Sequence, residues 1–124
     1  MHKYKELKVW QKSMELVTDI YKVTAKFPDR ERFGLISQIN RASVSIPSNI
    51  AEGAGRNSTK EFLHFLSIAH ASSYETETQL IISKNLNYLS INQLDVLTEK
   101  INEWQKMSYS FQSKLRFSLD SVSV

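Results

Sequence analysis

Residues 41–62 read RASVSIPSNIAEGAGRNSTKEF, and this stretch decides the fold. Arg41, Ser45, Asn49, Glu52 and Arg56 recur at steps of four, four, three and four among small and apolar residues. On a helix that spacing places the polar groups in one stripe. Pro47 interrupts nothing in the pattern, because Leu35, Ile39, Ala42, Ile46 and Ile50 carry an apolar seam straight past it. One continuous helix, kinked at Pro47, is expected. A proline there removes a backbone bond and clashes with the Ser43 carbonyl, costing about 3 kcal/mol unless neighbours compensate. The hydroxyls of Ser43, Ser45 and Ser48 are expected to bond the freed carbonyls.

Downstream, residues 53–57 supply a glycine-rich break, and Ser58-Thr59-Lys60-Glu61 reads as a capping box that starts a third helix. Its seam is Phe62, Leu66, Ala69, Ser73, Thr76, Leu80 and Ser83. Small hydroxylated residues in the middle let neighbouring backbones approach and require polar partners across the interface. After a connection at residues 85–89, Ser90 and Gln93 offer a second, weaker capping box. Leu94, Leu97, Ile101, Trp104, Phe111 and Leu115 follow at helical steps, with Ser108 as one polar position, and the tail after Phe117 is expected to fray.

Upstream, Leu7, Trp10, Met14, Val17 and Tyr21 form the seam of a first helix, widened by Val9, Leu16, Ile20 and Val23. Phe27-Pro28 ends it, and Asp29 is the expected cap of the second helix. Helices at about 6–26, 30–54, 59–84 and 91–117, each some 30 to 40 Å long, make an all-α, antiparallel up-down-up-down four-helix bundle. Composition agrees: two prolines and three glycines in 124 residues leave too little turn chemistry for many strands. The length suits one domain, residues 1–124.

No cysteine is present, so no disulfide forms, as suits a reducing cytoplasm. No uncharged run reaches the roughly 18 residues of a bilayer span, so a soluble, cytoplasmic protein without membrane contact is expected. The net charge of +3 and pI near 9.2 are compatible with nucleic acid without requiring it.

Enzyme signals are thin. His64 and His70 are six residues apart, on different faces of a helix, and His2 stands alone. A di-iron bundle site needs Glu-x-x-His from two helices, whereas Glu75 and Glu77 diverge. No nucleophile has a positioned base, so no catalytic residue, metal or cofactor is expected. Cations are more suggestive. Lys5, Lys8 and Lys12 share a face of the first helix; Lys22, Lys26, Arg30 and Arg32 surround the first turn; Arg56 and Lys60 flank a helix start that suits phosphate. A solvated helix face and a plain capped turn are the alternatives to a phosphate contact. Within the polar stripe, a buried Arg41 needs a partner, and Glu75 is in reach, with Ser45, Asn49, Glu52 and Ser72 completing an internal or inter-subunit network.

Residues 38–80, QINRASVSIPSNIAEGAGRNSTKEFLHFLSIAHASSYETETQL, closely resemble the signature of the 23S rRNA intervening-sequence proteins, and LKVWQKSMELVTDIYKVTAKFP and NLNYLS fit the same family. His70-Ala71 departs from it, where a glycine often precedes the serine. The resemblance implies a left-handed four-helix bundle that assembles as a homopentamer and is encoded in bacterial 23S rRNA insertions or elsewhere in genomes. These proteins are similar to the accessory variability protein of diversity-generating retroelements, a basic pentameric barrel that binds nucleic acid and a reverse transcriptase. The expectation is therefore a non-enzymatic oligomeric bundle that binds RNA or DNA by charge and shape, with little base readout. The alternative is a homo-oligomeric protein-interaction scaffold that touches no nucleic acid.

Overall fold

Four helices carry the chain: α1 at Lys8–Thr24, α2 at Leu35–Ala54, α3 at Thr59–Asn85 and α4 at Ile91–Val122, with short 3-10 turns at Tyr4–Glu6 and Asp29–Glu31. The computed structural model describes residues 2–122, and side chains as far as residue 119. Cross-helix bonds fix the directions. Gln38 meets Gln79 and Ser45 meets Ser72, so rising numbers in α2 face falling numbers in α3. His70 with Ser108 and Ser73 with Gln105 do the same for α3 and α4. Thr24 bonds Asn40 while His2 N–H donates to the Ala54 carbonyl, so α1 and α2 are also antiparallel neighbours.

The seams of α2, α3 and α4 fall where their periodicity places them: Ile39, Ala42, Ile46, Ile50, Phe62, Leu66, Ala69, Leu80, Leu97, Ile101 and Trp104 are all buried. Helix α1 differs. Its buried face is Val9, Ser13, Leu16, Ile20 and Thr24, one position round from the expected seam, and Met14 and Tyr21 are 42% and 45% exposed. The apolar strip of α1 is wider than the contact it makes, and Ser13 and Thr24 enter the core because their hydroxyls bond their own helix, to the carbonyls of Trp10 and Tyr21.

The same device serves α3. Ser73, Thr76 and Ser83 are buried and donate to carbonyls three or four residues back, at 2.6 to 2.8 Å. Cross-helix partners, expected for all of these positions, are found at few. Close approach is the gain: a Cβ on Gly53 would stand 2.7 Å from Phe65 Cβ.

Helix α2 runs unbroken through Pro47, as its seam requires. No side-chain donor is found on the freed Ser43 carbonyl among the described residues; the hydroxyl and amide bonds nearby go to other carbonyls, Ser43 Oγ to Asn40 and Asn49 Nδ2 to Ser45, at 3.0 and 2.8 Å. Its start is also later than expected, at Leu35 instead of residue 30. Asp29 opens a 3-10 turn and caps nothing; the Glu31 carboxylate accepts the Leu35 amide in its place, at 3.2 Å.

At the other turns, Ser58 caps the Glu61 amide at 3.1 Å, with no return bond from the exposed Glu61 carboxylate, which water solvates well. The box at Ser90 is the complete one, with Gln93 N–H donating to Ser90 Oγ and Ser90 N–H to Gln93 Oε1. Asn87, at φ 64°, ends α3 in a Schellman motif, with the Tyr88 amide on the Ser83 carbonyl and the Asn87 amide on Lys84. Helix α4 continues to Val122, so residues 118–122 extend the helix where fraying was expected; residues 123–124 of that tail lie outside the described residues.

Candidate nucleic-acid interface

All nine candidate cations are exposed, and the fold divides them between opposite ends of the bundle. At one end, Lys5 occupies the 3-10 turn ahead of α1, Lys8 and Lys12 lie one turn apart on α1, and Arg56 and Lys60 flank the α2–α3 turn. At the other, Lys22, Lys26, Arg30 and Arg32 surround the α1–α2 turn. The 17 residues of α1 set its two ends about 25 Å apart, and the nearest members of the two groups along it, Lys12 and Lys22, are separated by about 15 Å.

The ends differ in how free their cations are. Arg56 is held by Glu52 at 2.8 Å with its guanidinium 4.8 Å over the Phe65 ring, and Lys12 pairs with Glu15 at 3.2 Å. Ser58 Oγ is already used by the Glu61 amide, and the cavity in that loop is only about 80 Å³. At the α1–α2 end, no ion pair engages Lys22, Lys26, Arg30 or Arg32 among the described residues.

That turn is built by local sequence. Phe27 is buried, Pro28 ends the helical path, and Glu31 turns inward, accepting the Leu35 amide and the Tyr88 hydroxyl, the latter at 2.7 Å. These bonds, and Arg30 beside it, hold the Glu31 carboxyl below its ordinary value. Tyr88 also packs on Phe27, at 5.5 Å, and lies beneath Arg30. With Glu31 so occupied, Arg30 and Arg32 point outward without it. Phe33 is 91% exposed beside Arg32. Sequence reasoning missed Phe33, which belongs to no seam; an aromatic between Arg32 and Gly34 in a turn was the available signal. Tyr21 was missed as a surface residue because it fitted the expected seam.

The polar stripe separates. Ser45 and Ser72 share a 3.0 Å hydrogen bond, and Asn49 Nδ2 reaches Ser45 Oγ at 2.9 Å. Glu52 joins Arg56 instead of this group. Arg41 and Glu75 stand at the same height on α2 and α3, between the 38–79 and 45–72 contacts, yet both are exposed and no ion pair joins them. Within the single chain Arg41 is therefore exposed and makes no internal pair with Glu75, which leaves the inter-subunit form of the expected network.

Between α3 and α4, His70 Nδ1 lies 2.9 Å from Ser108 Oγ and Nε2 lies 3.1 Å from Tyr74 Oη. Burial pushes the imidazole below its ordinary value. Ser108 is fully buried and also accepts from Gln112, so its hydroxyl is held within the α3–α4 contact. A single Glu-x-x-His spacing does occur, at Glu61 and His64, both exposed. No group of three or more His, Asp or Glu side chains comes together to hold a metal among the described residues, and no helix there is long and apolar enough to cross a membrane.

The molecule is thus an all-α four-helix bundle with basic ends and an aromatic residue exposed at the freer of them. The pattern of the 23S rRNA-intervening sequence proteins matches residues 5–110, and the chain belongs to that family. A crystal structure of a protein of unknown function from the S23 ribosomal protein family of Bacteroides thetaiotaomicron is similar, with 28% identity and a TM-score of 0.75 over 84% of this chain and 97% of that one. No curated protein matches.

Proposed function

We propose that this protein is a non-enzymatic, cytoplasmic, homo-oligomeric bundle that binds RNA or DNA through basic surface residues. The observation that carries the reading is the set of cations at the α1–α2 turn, Lys22, Lys26, Arg30 and Arg32, for which no ion pair is found among the described residues; Glu31, beside Arg30, spends its oxygens on the Leu35 amide and the Tyr88 hydroxyl. Membership of a family named for rRNA insertions supports nucleic acid as the partner. Lys5, Lys8, Lys12, Arg56 and Lys60 form a second, weaker phosphate surface, because two of the five are already paired. The burial of Ser108 supports reading its hydrogen bond with His70 as a contact of the core.

Assembly is the second part of the reading, with a pentamer as the expected form and a reverse transcriptase as a partner by analogy alone. Ile68, Ile82, Leu86, Ile91 and Val96 are exposed apolar residues that association would cover, and Arg41 and Glu75 are placed to pair between subunits. Light scattering tests this: a mass of several protomers is expected, Arg41→Ala should lower it without lowering protomer stability, and a strict monomer at micromolar concentration refutes it. Binding to structured RNA and duplex DNA across a salt series tests the rest. Affinity should fall steeply with salt; none at 50 mM salt would favour a protein-interaction scaffold.

A further inference from the structure

We infer that the α1–α2 groove is a binding site for unpaired nucleotides, with Phe33 and Tyr21 as stacking surfaces; this rests on the nucleic-acid reading above. Two depressions make the groove. One, about 510 Å³, is lined by Tyr21, Ala25, Phe27, Arg32, Phe33 and Ile36 among others. The second, about 520 Å³, is lined by Val17, Thr18, Tyr21, Lys22, Ala25 and Val44. They share Tyr21 and Ala25, so one apolar floor runs along α1 with Lys22 at one rim and Arg32 at the other.

The exposures are what single this groove out. Phe33 at 91% and Tyr21 at 45% lie in water beside Lys22 and Arg32, for which no ion pair is found among the described residues, an apolar and cationic surface of the kind that marks a binding site. Asp29 is the one carboxylate in either lining, against Lys22 and Arg32 within them and Lys26 and Arg30 alongside. Phosphate therefore has partners on both rims. A phenyl ring in the open stacks only on a base whose face is free, which a duplex does not offer and a loop or single strand does. Subunits of the proposed pentamer would meet through two different patches, so a second copy on this groove is one outcome of the test, while the cation cluster itself favours a polyanion.

Fluorescence anisotropy with a labelled uridine 15-mer and with an RNA hairpin stem tests the inference. The single strand should bind more tightly. Phe33→Ala and Tyr21→Ala should each weaken it about five- to a hundredfold, the size of one lost base stack, with the salt slope unchanged. Arg32→Gln should instead reduce that slope by about 0.7. Thermal melts check that each variant folds, and both aromatic positions are exposed enough to tolerate alanine. If the stem binds as well as the strand and the alanine variants bind like the parent, nucleic acid is still the partner and the stacking groove is refuted. If neither RNA binds, the stacking groove is refuted, and the nucleic-acid reading falls with it when duplex DNA also fails to bind. If Phe33→Ala lowers the oligomer mass, and binding falls only as the mass does, the groove is a subunit interface and the inference is overturned.

Discussion

A methyl group added at Gly53 sets two opposing effects against each other. Gly53 is inside α2, so alanine there should gain about 1 kcal/mol of helix propensity. The same Cβ would stand 2.7 Å from Phe65 Cβ, 2.9 Å from Phe62 Cδ1 and 3.3 Å from the Phe62 carbonyl. Carbon atoms rest at about 3.5 to 4.0 Å, so all three neighbours must retreat. None does so freely. Phe65 Cβ moves only with the α3 backbone, and the Phe62 ring, 1% exposed, is wedged between His2 and Phe111. Overpacking of this kind costs about 1 to 3 kcal/mol, and with three short contacts at once the upper part of that range, about 2 to 3, applies; after the propensity gain Gly53→Ala should lose about 1 to 2 kcal/mol. Gly55 is the internal control. A Cβ there meets only the Glu52 and Ala51 carbonyls, at 3.6 and 3.8 Å, and its backbone is already right-handed helical. Gly55→Ala should therefore gain about 0.4 to 1 kcal/mol. Urea denaturation reads both: with an m-value of about 1 to 3 kcal/mol/M, the two midpoints should move in opposite directions, by several tenths of a molar unit. A Gly53→Ala protein as stable as the parent would refute the close approach of α2 and α3.

Acid should act in two separable windows. Burial holds His70 below its ordinary 6.5, so the folded state binds fewer protons than the unfolded chain; stability is complete above pH 6.5 and declines as pH falls below it, and His70→Gln should abolish that decline in urea midpoints. Glu31, held below its ordinary 4.5 first by the Tyr88 hydroxyl, contributes stability above pH 4.5 that is lost as pH falls further; Tyr88→Phe should shrink this second step in the same titration and leave the His70 step unchanged. Trp104→Phe removes the indole donor to the Val9 carbonyl, a buried 2.8 Å bond, along with core volume. A loss of about 1 to 3 kcal/mol is expected by denaturation, and an unchanged midpoint would show that the α1–α4 contact is dispensable.

The bundle itself was legible in the sequence, since seams and helix stops are written in local residue types. Phe62 to Ser83 and Leu94 to Trp104 read correctly because their three- and four-residue steps trace the buried face, although Ile68, Ile81 and Ile82 of α3 and Val96 of α4 stay exposed outside it. Ser58 and Ser90 mark real helix starts because capping is short-range chemistry. The cations were legible as a list, though not as two groups at opposite ends, because helix length and direction must first be combined.

What the tertiary structure decided was which of several locally allowed arrangements is used. Helix α1 carries two overlapping apolar strips, and the sequence favoured the one without Ser13 and Thr24; packing chose the other, since those hydroxyls are satisfied within the helix and their small size admits the neighbours. That choice leaves Met14 and Tyr21 in water and makes the α1–α2 groove. Likewise, one carboxylate at the α1–α2 turn had to be turned inward: Glu31, not Asp29, has both the Leu35 amide and the Tyr88 hydroxyl within reach, and Tyr88 lies 57 residues away in sequence. The stripe from Arg41 to Arg56 shows both limits together. Its spacing determined a helix through Pro47, and only the position of α3 decided that Ser45 meets Ser72 while Arg41 stays in solvent.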